Sequence, residues 1–109
     1  MLGRWQPWHQ GHQTLFEEII KKTGQVNIMV RDVKGVGDNP FDFDTVKKNI
    51  EKALDNFKNR IKITLVPNIT NICYGRGVGY KIEEIELSKE IQDISATKIR
   101  AQMRKDGKL

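Results

Sequence analysis

Two histidines three residues apart, His9 and His12, flank Gly11 in the run GRWQPWHQGH that spans Gly3 to His12. Residues i and i+3 share a helix face, so a helix opening here points both imidazoles at one spot beyond its N-terminus. Free main-chain N–H groups and the helix dipole already attract anions at such a place, and Gly11 carries no side chain to block an approaching ligand. A phosphate would meet both rings and the amides together. Two plainer accounts compete. The pair fills surface or core, or it binds zinc, for which no third ligand stands nearby in the sequence. Neither explains the residues around the pair.

The second constellation is Ile94 to Arg100, ISATKIR. Ser95 is a good helix N-cap, and a cap on an ordinary surface helix is the simple account. The charges point further. Lys98 and Arg100 fall in or near the first turn, where the helix dipole disfavours cations. An anion held there reverses the sign of that cost, with Ser95, Thr97 and the free amides adding hydrogen bonds. Weaker patterns surround these two. Gly75, Arg76, Gly77, Val78 and Gly79 miss the dinucleotide-binding spacing and precede Tyr80, which suits a tight turn. Lys34, Gly35, Val36 and Gly37 lack the Gly-Lys-Ser/Thr of a P-loop, although Lys34 stands where a loop lysine could reach phosphate. Trp5 and Trp8 bracket Pro7 and either stack on a base or pack the loop.

The elements that must position these groups follow from periodicity. Leu15, Phe16, Ile19 and Ile20 recur at helical spacing between Gln10 and Lys22, with Glu17, Glu18, Lys21 and Lys22 opposite and Gly24 as the stop. Residues 25–31 (QVNIMVR) predict a strand buried on both faces, and residues 32–41 predict a loop. Val46, Ile50, Leu54 and Phe57 mark a second amphipathic helix, with Asp42 or Asp44 as N-cap. Residues 61–67 (IKITLVP) predict another strand, residues 68–79 a second loop. Lys81 to Leu87 (KIEEIEL) reads as a strand or short helix, the strand being favoured, and a last helix runs from near Ser95 to before Gly107. This alternation predicts an α/β fold with a parallel sheet flanked by helices and ligands outside the carboxyl ends of the strands. Only Met1, Leu2 and Gly3 precede the first loop. The first strand is therefore expected to be truncated, either because the true start is missing or because it is unusually short.

With 109 residues and 12.6 kDa, the chain is the size of one domain, residues 1–109. Hydrophobic residues at 38% and charged residues at 30% exclude a disordered tail and a membrane-embedded chain. No apolar run approaches a membrane span or a signal peptide, so a cytoplasmic location is expected. Cys73 is the only cysteine, which rules out an internal disulfide and a thiolate-rich zinc site. Nineteen Lys and Arg against fourteen Asp and Glu give a net charge of +5. Anionic partners are favoured: nucleic acid, a phosphorylated metabolite or an acidic membrane surface. The excess is concentrated at the C-terminus, in Lys98, Arg100, Arg104, Lys105 and Lys108.

GRWQPWHQGH resembles the GRFxPxHxGH opening of the nucleotidyltransferase superfamily, and ISATKIR resembles its ISSTxIR closing motif. The resemblance covers nearly the whole chain. It implies a Rossmann-like three-layer fold in which an acceptor phosphate or phosphonate attacks the α-phosphorus of a nucleoside triphosphate and releases pyrophosphate. By motif, His9, His12 and Arg100 are the implied catalytic residues, with Lys34 joining them from its loop. Gly3, Arg4, Trp5, Gln6 and Gly11 would bind nucleotide together with Ser95, Ala96, Thr97 and Arg100. Magnesium would ride on the triphosphate rather than on protein side chains. Arg31, Arg76 and Tyr74 are the candidate acceptor contacts, and a homodimer is possible. The chain departs from the family pattern at Val46, where relatives often carry Arg, and at Glu90 to Asp93, where cytidylyltransferases of this size carry RTxG. CTP and ATP both remain open as donors, since GRWQP is also similar to nicotinamide mononucleotide adenylyltransferases. A small basic nucleic-acid-binding domain is the reading from another class, and a catalytically dead relative is a third.

Overall fold

The computed structural model describes residues 1–33, 37–77 and 79–109. Lys34, singled out above, lies outside the described residues, as do Gly35, Val36 and Val78. The elements in chain order are β1 (Leu2–Gly3), α1 (Gln10–Thr23), β2 (Val26–Arg31), α2 (Phe43–Ala53), a 3-10 segment (Asp55–Arg60), β3 (Ile61–Val66), α3 (Lys89–Gln92) and α4 (Ala96–Lys105). The three strands form one parallel sheet in the order β1-β2-β3. Parallel neighbours need a crossover connection, and α1 and α2 supply the two.

Local chemistry sets where each helix begins and ends. Gly24 closes α1 in the left-handed region at φ 75° and donates its N–H to the Ile20 carbonyl at 2.8 Å. Lys21 and Lys22 sit in that last turn, where cations complement the dipole. The Asp42 carboxylate accepts from the Thr45 N–H at 2.9 Å and caps α2. β2 pairs along its whole length with β3, from Val26 opposite Ile61 to Arg31 opposite Val66. β1 pairs only as Leu2 with Met29 and Gly3 with Val30. It is a two-residue strand, as its short run of sequence anticipates.

One core joins these parts: Phe16 and Ile20 of α1, Val26, Ile28 and Val30 of β2, Val46 and Ile50 of α2, and Leu54 and Trp5 from the connections. Each large apolar side chain taken fully from water contributes about 1.5–3 kcal/mol. Two expectations are corrected. β2 is not buried on both faces, because Val26, Ile28 and Val30 are buried while Asn27 is exposed and Met29 and Arg31 are half-buried. Lys81 to Leu87 forms neither strand nor helix. A strand there needs an edge to pair with, and β1 offers only two residues. The segment is held instead by side chains: Glu83 pairs with Lys22 of α1 at 2.6 Å, and Ile85 lines a hollow with Ile19 and Met29. No helix among the described residues is long and apolar enough to cross a membrane.

Candidate functional site

The loop between β1 and α1 is built around two tryptophans. Trp5 is 5% exposed, has φ 56° and donates its indole N–H to the Met29 carbonyl at 3.3 Å. A left-handed backbone costs an L-residue about 1–2 kcal/mol, and burial of the ring holds it there. Gly3 makes room for that ring, since a Cβ on Gly3 would fall 2.8 Å from it. Trp8 lies 5.2 Å from Trp5 between ring centroids, and both rings contact the His12 imidazole, Trp5 edge-on at 4.7 Å. The tryptophans therefore pack the loop and wall in His12, Trp5 buried and Trp8 half-buried.

His9 is not inside the helix but caps it. Its Nδ1 accepts from the Gly11 N–H at 3.0 Å and the His12 N–H at 3.4 Å. The His9 N–H in turn donates to Nδ1 of His12 at 3.2 Å. The two rings stack, 3.6 Å apart and 18° from parallel. This corrects one detail of the expected geometry. The amides of Gly11 and His12 are already satisfied by His9, and the space beside Gly11 is filled by the His9 ring, because a Cβ there would lie 2.8 Å from His9 Cε1. The same bonds fix both tautomers. An Nδ1 that accepts carries no proton, so in each neutral ring the proton sits on Nε2, across the ring. The result is two stacked N–H donors. Burial lowers the His9 pKa, and burial followed by the neighbouring His9 lowers that of His12 to about 3. At neutral pH the pair offers hydrogen bonds rather than charge.

Arg100 brings the other motif to the same loop. It is 4% exposed although it sits on the last helix. Its Nη1 donates to the Gln6 carbonyl at 2.6 Å, and its Nη2 donates to Thr97 Oγ1 at 3.2 Å and to Asp38 Oδ1 at 3.3 Å. Gln6 is buried as well, and its side chain exchanges two 2.9 Å hydrogen bonds with the main chain of Phe41. Arg4 is exposed and donates to Asn39 Oδ1 at 3.3 Å. A second link joins the motifs through α3, which packs on α1: the Ile91 carbonyl lies 3.5 Å from where a Gly11 Cβ would be. Ser95 caps α4 as expected by accepting from the Lys98 N–H at 3.4 Å. Ala96 opens that helix, and no acidic residue occupies its first turn.

At the carboxyl ends of β2 and β3 lies an open hollow of about 330 Å³, lined by Gln6, Val30, Arg31, Asp32, Phe41, Asp44 and Leu65 among others. Arg31 is thus placed where an α/β sheet binds ligands; its Nε donates to Asn68 Oδ1 at 3.0 Å. Tyr74 and Arg76 do not line this hollow. Tyr74 contacts Tyr80 edge-on at 5.7 Å, and the Tyr80 hydroxyl donates to the Arg76 carbonyl, in an exposed loop of its own. Neither His12 nor Arg100 lines the hollow, although Gln6 joins it to Arg100.

No family model, curated protein or solved structure matches the chain. Among the described residues no three His, Cys, Asp or Glu side chains stand together as a metal-binding group. Sequence reasoning missed Asp38, Asn39 and Phe41, which tie the 37–41 segment to both motifs. The usable signal was Asp38 itself, an acidic residue in a loop expected to face an anion site.

Proposed function

We propose that the chain is a nucleotidyltransferase with a Rossmann-like fold that moves a nucleoside monophosphate from CTP or ATP onto a small phosphate- or phosphonate-bearing acceptor. The observation that carries this reading is the 2.6 Å bond from Arg100 to the Gln6 carbonyl. It holds the start of α4 against the loop that opens α1, so two donor-rich helix beginnings converge from opposite ends of the chain.

An acceptor oxygen attacks the α-phosphorus, the bond from that phosphorus to its bridging oxygen breaks, and pyrophosphate leaves with the electron pair. Transfer of this kind needs positioning and charge stabilisation more than a protein nucleophile. The Nε2–H groups of His9 and His12 donate to triphosphate oxygens. Arg100, with Thr97 and Lys98 of the same turn, receives the charge that grows on the departing pyrophosphate. Arg31, in the hollow beside Gln6, holds the acceptor's anionic group. Neither α1 nor α4 has an acidic residue in its first turn, and carboxylates are the side chains that usually anchor magnesium to a protein. Magnesium, which would neutralise the polyphosphate, would therefore be held through phosphate oxygens.

Pyrophosphate release from CTP and ATP with a panel of phosphorylated and phosphonate acceptors tests the proposal. Turnover with one triphosphate supports it, and the absence of both turnover and triphosphate binding defeats it. Nicotinamide mononucleotide in the panel separates the narrower adenylyltransferase reading. The nucleic-acid reading is less favoured because Trp5, one of the two rings it would stack on bases, is buried against His12.

A further inference from the structure

The 37–41 segment crosses from α4 to the first loop, and apart from Arg104 the residues it ties to, Arg4, Gln6 and Arg100, are ones assigned above to the nucleotide. The Gly37 carbonyl accepts from Arg104. Asp38 pairs with Arg100 at 3.3 Å, Asn39 accepts from Arg4 at 3.3 Å, and Phe41 is bonded twice to the Gln6 side chain. The Asp38 pair is unequal: the Asp38 side chain is 72% exposed and that of Arg100 4%. A solvent-side carboxylate therefore covers a guanidinium that is otherwise turned into the protein. Asp38 Oδ1 and Thr97 Oγ1 share the same Arg100 nitrogen.

We infer that residues 37–41 form a strap in which the Asp38 carboxylate stands in for a phosphate oxygen, so that a triphosphate must displace it from Arg100 to bind. This rests on the function proposed above. An ion pair with one exposed partner is weak and a polyphosphate carries several charges, so displacement is favourable but reduces affinity by the fraction of molecules that are closed. Loosening the α4 end of the strap should therefore tighten triphosphate binding by roughly two- to fivefold. Two variants separate this from a change of charge. Asp38→Asn removes a negative charge, and tighter anion binding would follow from charge alone. Arg104→Ala removes a positive charge and releases Gly37, so charge alone predicts weaker binding and the strap predicts tighter.

The experiment is calorimetric titration of the full chain and both variants with magnesium-CTP and magnesium-ATP. Tighter binding in both variants is the expected result. Tightening in Asp38→Asn with unchanged or weaker binding in Arg104→Ala would reduce the effect to charge and overturn the strap, as would no tightening in either. If the wild type binds neither nucleotide, the proposed function falls and the strap with it. If the wild type binds and the variants do not tighten, the strap alone fails.

Discussion

At Gly11 the space that a ligand-approach argument reserved for phosphate is taken by the His9 ring, and this changes what substitution there should do. Gly11→Ala gains about 1 kcal/mol of helix propensity and, by pushing His9 aside, loses an N-cap worth about 1 kcal/mol. Net stability in urea should move by less than about 1 kcal/mol, while turnover falls more than tenfold because both Nε2–H donors lose their alignment. His12 sets a pH signature. Its folded pKa of about 3 lies below the 6.5 of the unfolded chain. Between those values the unfolded state binds a proton that the folded state refuses. The stability of the neutral ring is thus complete above pH 6.5 and lost as pH falls towards 3. In denaturation measured from pH 6.5 to 4.5, above most carboxylates, His12 should contribute a slope of up to about 1.4 kcal/mol per pH unit, which His12→Gln removes. Arg100→Ala should lower kcat/KM well over tenfold, about 1.4 kcal/mol or more of transition-state stabilisation. It should also destabilise the fold by about 1–3 kcal/mol, because the Gln6 carbonyl loses its buried donor. Unchanged kinetics would remove Arg100 from the site.

Among the elements, those with chemically marked ends were legible. α2 was readable from Asp42 or Asp44 as its cap, of which Asp42 is the one that caps, and from the spacing of Val46, Ile50 and Leu54, but Phe57, read as part of the same helix, lies in the 3-10 segment beyond it. Asp42→Ala should cost about 1 kcal/mol in chemical denaturation, and no change would mean that the carboxylate does not cap the helix. α1 and α4 were marked as clearly by Gly24 and Ser95. What escaped the sequence was relational. The apolar run of β2 could not reveal that Asn27 and Met29 lie on a less covered side, because that depends on how many helices the chain places on each face. Lys81 to Leu87 carried a plausible strand composition but needed a neighbour that β1 is too short to provide. The motif residues were found by type and spacing. The bonds that unite them, Arg100 to Gln6 and Gln6 to Phe41, join positions far apart in the chain, and no local pattern encodes such pairs.

For the whole molecule, the small parallel sheet carries α1, and Arg100 ties α4, from the other end of the chain, to the loop that opens α1. The basic C-terminal helix belongs to this arrangement, since Arg100 and Arg104 both turn to the 37–41 segment. A ligand that joins α1, the first loop and α4 stabilises the folded state by mass action. The preferred one of CTP and ATP, with magnesium, should therefore raise the Tm in a concentration-dependent way, and the preference identifies the base. The most direct test is a single titration of isotope-labelled protein with that nucleotide, following the ring nitrogens of His9 and His12 and the side-chain nitrogen Nε of Arg100 by NMR. The account predicts that all three respond along one saturation curve with one Kd. Imidazole signals that move while Arg100 stays still, or the reverse, would contradict it.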